Sequence, residues 1–151
     1  MSAVRRGFTI IELMVVITIL GIFAALAAPS MADLVASTAI KGAATDLYSS
    51  LIVARSEAIK RRANATVAPV GTSWTSGWTV TVSGNTFQKV DALKPRVAVS
   101  PTTVTPIVFG MNGRVSSGAQ TIKFSDNVRT TVPNRCVLVG TSGLPRVRTG
   151  C

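Results

Sequence analysis

Three groups of side chains in this chain have types and spacings suited to chemistry. Arg146 and Arg148 stand two apart near the C-terminus. In an extended strand they project from one face about 6.6 Å apart, close to the spacing of successive phosphates in a nucleic acid strand, so together they can hold neighbouring phosphates. Cys136 and Cys151 can join where the surroundings are oxidising, closing a loop of about 15 residues and restricting the unfolded chain by roughly 3 kcal/mol. Free thiols are the alternative. Glu12 is the only ionisable side chain in an apolar run from Phe8 to Ala28. A carboxylate placed centrally in a membrane costs about 2.5–3.5 kcal/mol on insertion scales, which argues for a functional partner.

Other chemistries are excluded or unsupported. The chain has no histidine, which removes Ser-His-Asp and Cys-His catalysis and the usual histidine-bearing metal sites. Asp46, Glu57, Asp91 and Asp126 are scattered and form no close pair for acid-base work. No glycine-rich phosphate loop follows a strand and opens a helix. Neither enzymatic activity nor a cofactor or metal is expected. Sixteen lysines and arginines face six acids, a formal charge of +10. Without Arg5 and Arg6 the balance is fourteen to six, or +8. From Arg96 onward, Arg96, Arg114, Lys123, Arg129, Arg135, Arg146 and Arg148 face Asp126 alone. A polyanionic partner explains this bias, and so does a well-solvated surface.

These residues must be positioned by a helix and by strands. The run from Phe8 to Ala28, at about 1.5 Å per residue, makes a helix of roughly 31 Å, enough to cross a bilayer core of about 30 Å. Beyond Pro29 an apolar stripe continues through Ile40, Ala44, Leu47, Leu51, Ala54 and Ala58 at helical spacing. Lys60, Arg61 and Arg62 suit the negative end of the helix dipole. The pattern predicts helix over about 9–62, kinked at Pro29, with Met31, Leu34 and Val35 off the stripe and free to face neighbours. After Asn64 the period drops to two. Strands are expected at 78–83, 86–90, 96–100, 106–109, 121–125, 135–139 and 145–149, with Gly84-Asn85 as a hairpin turn. The aromatics Trp74, Trp78, Phe87, Phe109 and Phe124 read as core. One long helix before a run of strands predicts an α+β fold, mostly antiparallel, with the helix covering one face. The organisation reads as leader 1–7, membrane or filament half-helix 8–29, amphipathic half-helix 30–62 and β-rich head 63–151.

If Gly140 to Gly143 form a hairpin loop, Val139 pairs with Leu144 and Arg135 lands opposite Arg148. Three arginines then share a face, with Cys136 and Val147 on the other. A one-residue slip reverses this arrangement.

The basic leader, Gly7-Phe8-Thr9-Ile10-Ile11-Glu12-Leu13 and the apolar run resemble the N-terminus of type IV pilins and type II secretion pseudopilins. The resemblance implies cleavage by prepilin peptidase between Gly7 and Phe8, methylation of Phe8, and pairing of Glu12 with the terminal amine of a neighbouring subunit. Two other readings exist: a secretory signal cleaved near Ala27 or Ala28, and a plain single-pass anchor.

Leu51 to Arg61, with Ala54-Arg55-Ser56-Glu57-Ala58 at its centre, the Ser76-Gly77-Trp78 step and the Thr141-Ser142-Gly143 turn are similar to the FimT/GspH branch. By that resemblance the chain is an inner-membrane, single-pass protein with a periplasmic head that then joins a pilus or pseudopilus with other pilins. FimT-like members are linked to DNA uptake through a Gly-Arg-x-Arg motif. Here the segment is Leu144-Pro145-Arg146-Val147-Arg148, with proline where the motif has glycine. The DNA candidates are Arg146 and Arg148, then Arg135, then Arg129. A GspH-like pseudopilin or structural minor pilin without DNA binding is the second reading.

Overall fold

The structure, a computed structural model, describes residues 8–102 and 104–151, with the backbone alone at 27–30. Gly7, the basic leader and the side chain of Pro29 lie outside the described residues. One helix, α1, spans Ile10–Arg61, so the helix continues past residue 29 as the pattern predicts. The chain divides into two units, Met1–Leu34 and Val35–Cys151.

In the first unit the described side chains from Phe8 to Leu26 are all exposed. Their window has a mean hydropathy of 2.7, and the helix is long and apolar enough to cross a membrane. A helix apolar all round finds its burial in lipid or among other helices.

In the second unit the stripe Ile40, Ala44, Leu47, Leu51, Ala54 and Ala58 is no more than 1% exposed, joined by Ala36 and Ala43. Lys60 and Arg61 occupy the last turn. Arg62 then takes a left-handed φ of 51°. The Ala63 N–H donates to Ala58 O at 3.2 Å and the Arg62 N–H to Ile59 O at 3.3 Å, the bond pattern of a Schellman stop.

Among the described residues nine strands follow: β1 Ala65–Pro69, β2 Trp78–Val82, β3 Asn85–Val90, β4 Val97–Ser100, β5 Ile107–Phe109, β6 Val115–Ser117, β7 Gln120–Asp126, β8 Arg135–Val139 and β9 Pro145–Thr149. They form two antiparallel sheets, ordered β3-β2-β1-β5-β6 and β4-β7-β8-β9. The seven expected strands are present; β1 and β6 are additional. The β2–β3 turn is Ser83-Gly84, one residue earlier than expected, with Val82 opposite Asn85. Ser83 and Gly84 have φ of 50° and 81°, both positive as a type I′ turn requires.

The helix stripe shares one core with the inner faces of both sheets, including Val67, Trp78, Val80, Ile107, Phe109, Ile122, Phe124 and Val137. The Trp78 indole N–H donates to Ser50 Oγ at 2.9 Å, and the Ser50 hydroxyl donates to the Asp46 carbonyl at 2.9 Å. Arg55 is more than a solvated helix residue: its Nε donates to the Gly113 carbonyl at 3.0 Å. Glu57 receives Arg61 at 2.7 Å. Phe87 departs from the core expectation. It is exposed, with the Arg61 guanidinium 4.4 Å from its ring centroid.

Candidate functional site

The geometry of the arginines follows from the β8–β9 hairpin. Its loop holds five residues, Gly140 to Leu144, so Val139 pairs with Pro145, Val137 with Val147 and Cys136 with Arg148. This is one residue away from the expected register. The cause is local: Gly143 adopts φ +76°, and its backbone lies against that of Gly113 so closely that a Cβ would collide with the Gly113 carbonyl oxygen. The Val115 N–H donates to Thr141 O at 3.2 Å. The loop is therefore seated on the β5–β6 turn, and Leu144 is drawn out of the strand. Pro145 begins the edge strand, a position where its missing N–H is tolerated, and is buried. Proline in the motif-glycine position leaves β9 continuous through Arg146 and Arg148.

Directly paired residues share a face. Arg146 therefore lies beside Leu138 and Thr121, and Arg148 lies beside Cys136 and Lys123. Across three strands, Lys123 and Arg148 are about 10 Å apart at the backbone. Both arginines are exposed. A groove of about 230 Å³ on the same sheet is lined by Lys123, Ser125, Asp126, Arg129, Thr130, Val132 and Asn134, which brings Arg129 next to Lys123. Asp126, the one acid there, is occupied. Its Oδ1 accepts the Val128 and Arg129 N–H groups at 2.7 and 2.9 Å, and its Oδ2 accepts Arg96 Nη2 at 3.0 Å. The Val128 N–H first, then the Arg129 N–H and the Arg96 charge, hold its carboxyl below the ordinary range against the opposing effect of burial.

Arg135 is not part of this cluster. It pairs with Thr149 and Phe124 and so lies on the inner, helix-facing side with Val137 and Val147. There it lines a second groove with Lys41, Ala44, Thr45 and Val147. The expected triad of arginines on one face is corrected to a pair with Lys123. In the sequence Lys123 stood out only as one of the basic residues beyond Arg96, and nothing marked Lys41.

Cys136 and Cys151 form a disulfide, with Cα atoms 6.4 Å apart. The tail curls back as required: the Gly150 N–H donates to Asn134 O at 3.2 Å and the Cys151 N–H to Asn134 Oδ1 at 3.3 Å. The bridge lies on the same face as Arg148, between it and Lys123, and not behind the hairpin as expected.

At the other end, Thr9 and Glu12 make a capping box. The Glu12 N–H donates to Thr9 Oγ1 at 3.3 Å, and the Glu12 carboxylate accepts the Thr9 N–H at 3.5 Å. This satisfies two orphan donors of the first turn and holds the carboxylate close to Phe8. Among the described residues no cluster of His, Cys, Asp or Glu is arranged to hold a metal ion.

Comparison with known proteins agrees with this architecture. A family model described as type II transport protein GspH matches residues 43–143, and one described as the prokaryotic N-terminal methylation motif matches residues 3–28. Two crystal structures of the type IV minor pilin FimU from Pseudomonas aeruginosa (strain PAO1) are similar in fold. The P21 form gives a TM-score of 0.55 at 20% identity, covering 74% of this chain and 88% of that one. The P65 form gives 0.54 at 21% identity, covering 74% and 92%. No curated protein matches. With its methylation motif, its single long helix and its two antiparallel sheets, the chain belongs to the GspH family, as a type IV pilin-like protein of the FimT/GspH branch.

Proposed function

We propose that this protein is a minor type IV pilin that binds DNA during uptake. It is anchored in the inner membrane with its head in the periplasm, and prepilin peptidase cleaves it between Gly7 and Phe8 and methylates Phe8. It then enters the pilus, where Glu12 leaves its own cap to pair with the terminal amine of a neighbouring subunit. One observation carries the DNA reading: Arg146, Arg148 and Lys123 share one face of an edge-containing sheet whose acid, Asp126, is already bonded. Arg129 adjoins them. Contacts of this kind go to phosphates and are nearly independent of sequence.

A second reading is favoured by the family model itself, whose description is a type II transport protein. In that reading the head is a pseudopilus component, and the arginines protect the exposed β9 edge from pairing with other chains. Cells carrying Arg146→Gln/Arg148→Gln separate the two. The DNA reading expects assembled pili with uptake of labelled DNA lost; loss of the filaments themselves, or unchanged uptake, supports the structural reading.

A further inference from the structure

The outer-face site leaves the groove beneath β9 unexplained. From its lining we infer that Lys41 and Arg135 form a phosphate-binding pocket on the inner side of the β9 edge, distinct from the Arg146–Arg148 face. The groove has a volume of about 230 Å³ and is lined by Lys41, Ala44, Thr45, Arg135 and Val147. Two cations from elements far apart in sequence, α1 and β8, thus face one space. Among the described residues no carboxylate lines it. Asp46 follows Thr45 but lines a different groove beside Asp91. Like charges brought together without an anion oppose folding, and a bound anion removes that cost.

The helix supplies a third donor, because Thr45 stands one turn beyond Lys41 on the same exposed side of the helix, next to the buried stripe. Two cations and a hydroxyl, with the methyl groups of Ala44 and Val147 as floor, suit a tetrahedral oxyanion. The groove is smaller than the roughly 300–1,000 Å³ of pockets for drug-sized molecules, so a single phosphate group with its waters fits better than a nucleoside.

Position connects the pocket to the other arginines. Val147 closes it from the inner face of β9, while Arg146 and Arg148 flank the same residue on the outer face. A nucleic acid strand crossing the β9 edge places one phosphate in the pocket and the next ones on the outer arginines. The phosphate comes either from nucleic acid, which rests on the DNA reading above, or from free phosphate or pyrophosphate.

The test uses the full chain in a nonionic detergent, as wild type, Lys41→Gln, Lys41→Glu and Arg146→Gln/Arg148→Gln. Lys41 is exposed, so its replacement does not disturb the core. Pyrophosphate is titrated while the amide signals of Thr45 and Val147 are followed by NMR. A duplex oligonucleotide is titrated in parallel over a range of salt. The wild type is expected to show a saturable pyrophosphate shift at both amides, weakened about tenfold or more in Lys41→Gln by loss of a charge-assisted bond and abolished in Lys41→Glu.

If nucleic acid supplies the phosphate, Lys41→Gln also lowers the log–log salt slope by about 0.9; an unchanged slope with the pyrophosphate shift intact assigns the pocket to the free anion. Absence of any saturable shift, together with an unchanged slope in Lys41→Gln, overturns the inference, even where Arg146→Gln/Arg148→Gln still abolishes duplex binding and the outer-face reading survives. Absence of duplex binding in every form, with the pyrophosphate shift retained, sinks the DNA reading and leaves the pocket standing.

Discussion

Replacing Gly143 with alanine tests the contact that sets the register of the arginine hairpin. Gly143 is buried, has φ +76°, and would direct a Cβ at the Gly113 carbonyl oxygen and to within 3.2 Å of Arg114 Cα. The neighbour is backbone, so no side chain can rotate away. A left-handed conformation costs an L-residue about 1–2 kcal/mol, and forcing extra volume into a packed contact adds about 1–3 kcal/mol, giving about 2–5 kcal/mol in all. For a domain of this size that corresponds to a Tm lower by roughly 8–20 °C. Gly140→Ala is the control. Its Cβ would enter open space at an ordinary φ, so a change within about 0.5 kcal/mol is expected. The assay is thermal unfolding of the full chain with the disulfide intact, followed by the fluorescence of the buried Trp74 and Trp78. Equal stability of the two variants would refute the seating of the loop on the β5–β6 turn, and with it the explanation of the register.

Three further outcomes follow from the same structure. Ser50→Ala strands the buried Trp78 indole N–H and should cost about 1–3 kcal/mol in urea unfolding, whereas Ser49→Ala on the exposed side should change little. Cys136→Ser/Cys151→Ser should lose about 3 kcal/mol of stability, and because the bridge lies between Lys123 and Arg148, DNA titration should show weaker binding with every cation retained. Asp126 has a depressed carboxyl pKa, so its stabilisation is present above the unfolded value of about 3.9 and is lost as pH falls through the lower folded value. An acid titration of Asp126→Asn should accordingly show a flatter loss of stability below about pH 4 than the wild type, and identical profiles would contradict this role.

Much of the architecture was legible in the sequence because it depends on period. The stripe from Ile40 to Ala58 identified the buried helix face, and the alternation in Trp78 to Val82 identified a strand. The β1 strand was missed because Ala65-Thr66-Val67-Ala68-Pro69 is short, alanine-rich and ends in proline; its strand character comes from lying between β2 and β5. Phe87 was misread because a register shift in the β2–β3 ladder between Val80 and Thr81 removes the simple alternation from its part of β3.

At the site, the arginine pair and the disulfide were readable from spacing, but the faces were not. Glycines at 140 and 143 suggested a four-residue loop, and the packing of Gly143 on Gly113 is invisible in one dimension. A signal was nonetheless present. Matching apolar Val137 and Val139 with Val147 and Pro145 already implies the observed register, which places Arg135 away from Arg148. Lys41 was beyond reach, since nothing in the spacing of a helical lysine indicates which strand it will meet.

The central claim is that DNA is held by the outer face of the β4-β7-β8-β9 sheet, and not by net charge. The most direct measurement is a duplex titration at several salt concentrations with the wild-type chain, Arg146→Gln/Arg148→Gln and the charge-matched Lys60→Gln/Lys89→Gln, whose lysines lie outside that sheet, on α1 and on β3. The account predicts that the arginine pair loses most of the affinity and about 1.8 units of log–log salt slope, while the lysine pair stays close to wild type. Equal losses in both, or no binding by the folded wild type at low salt, would contradict it.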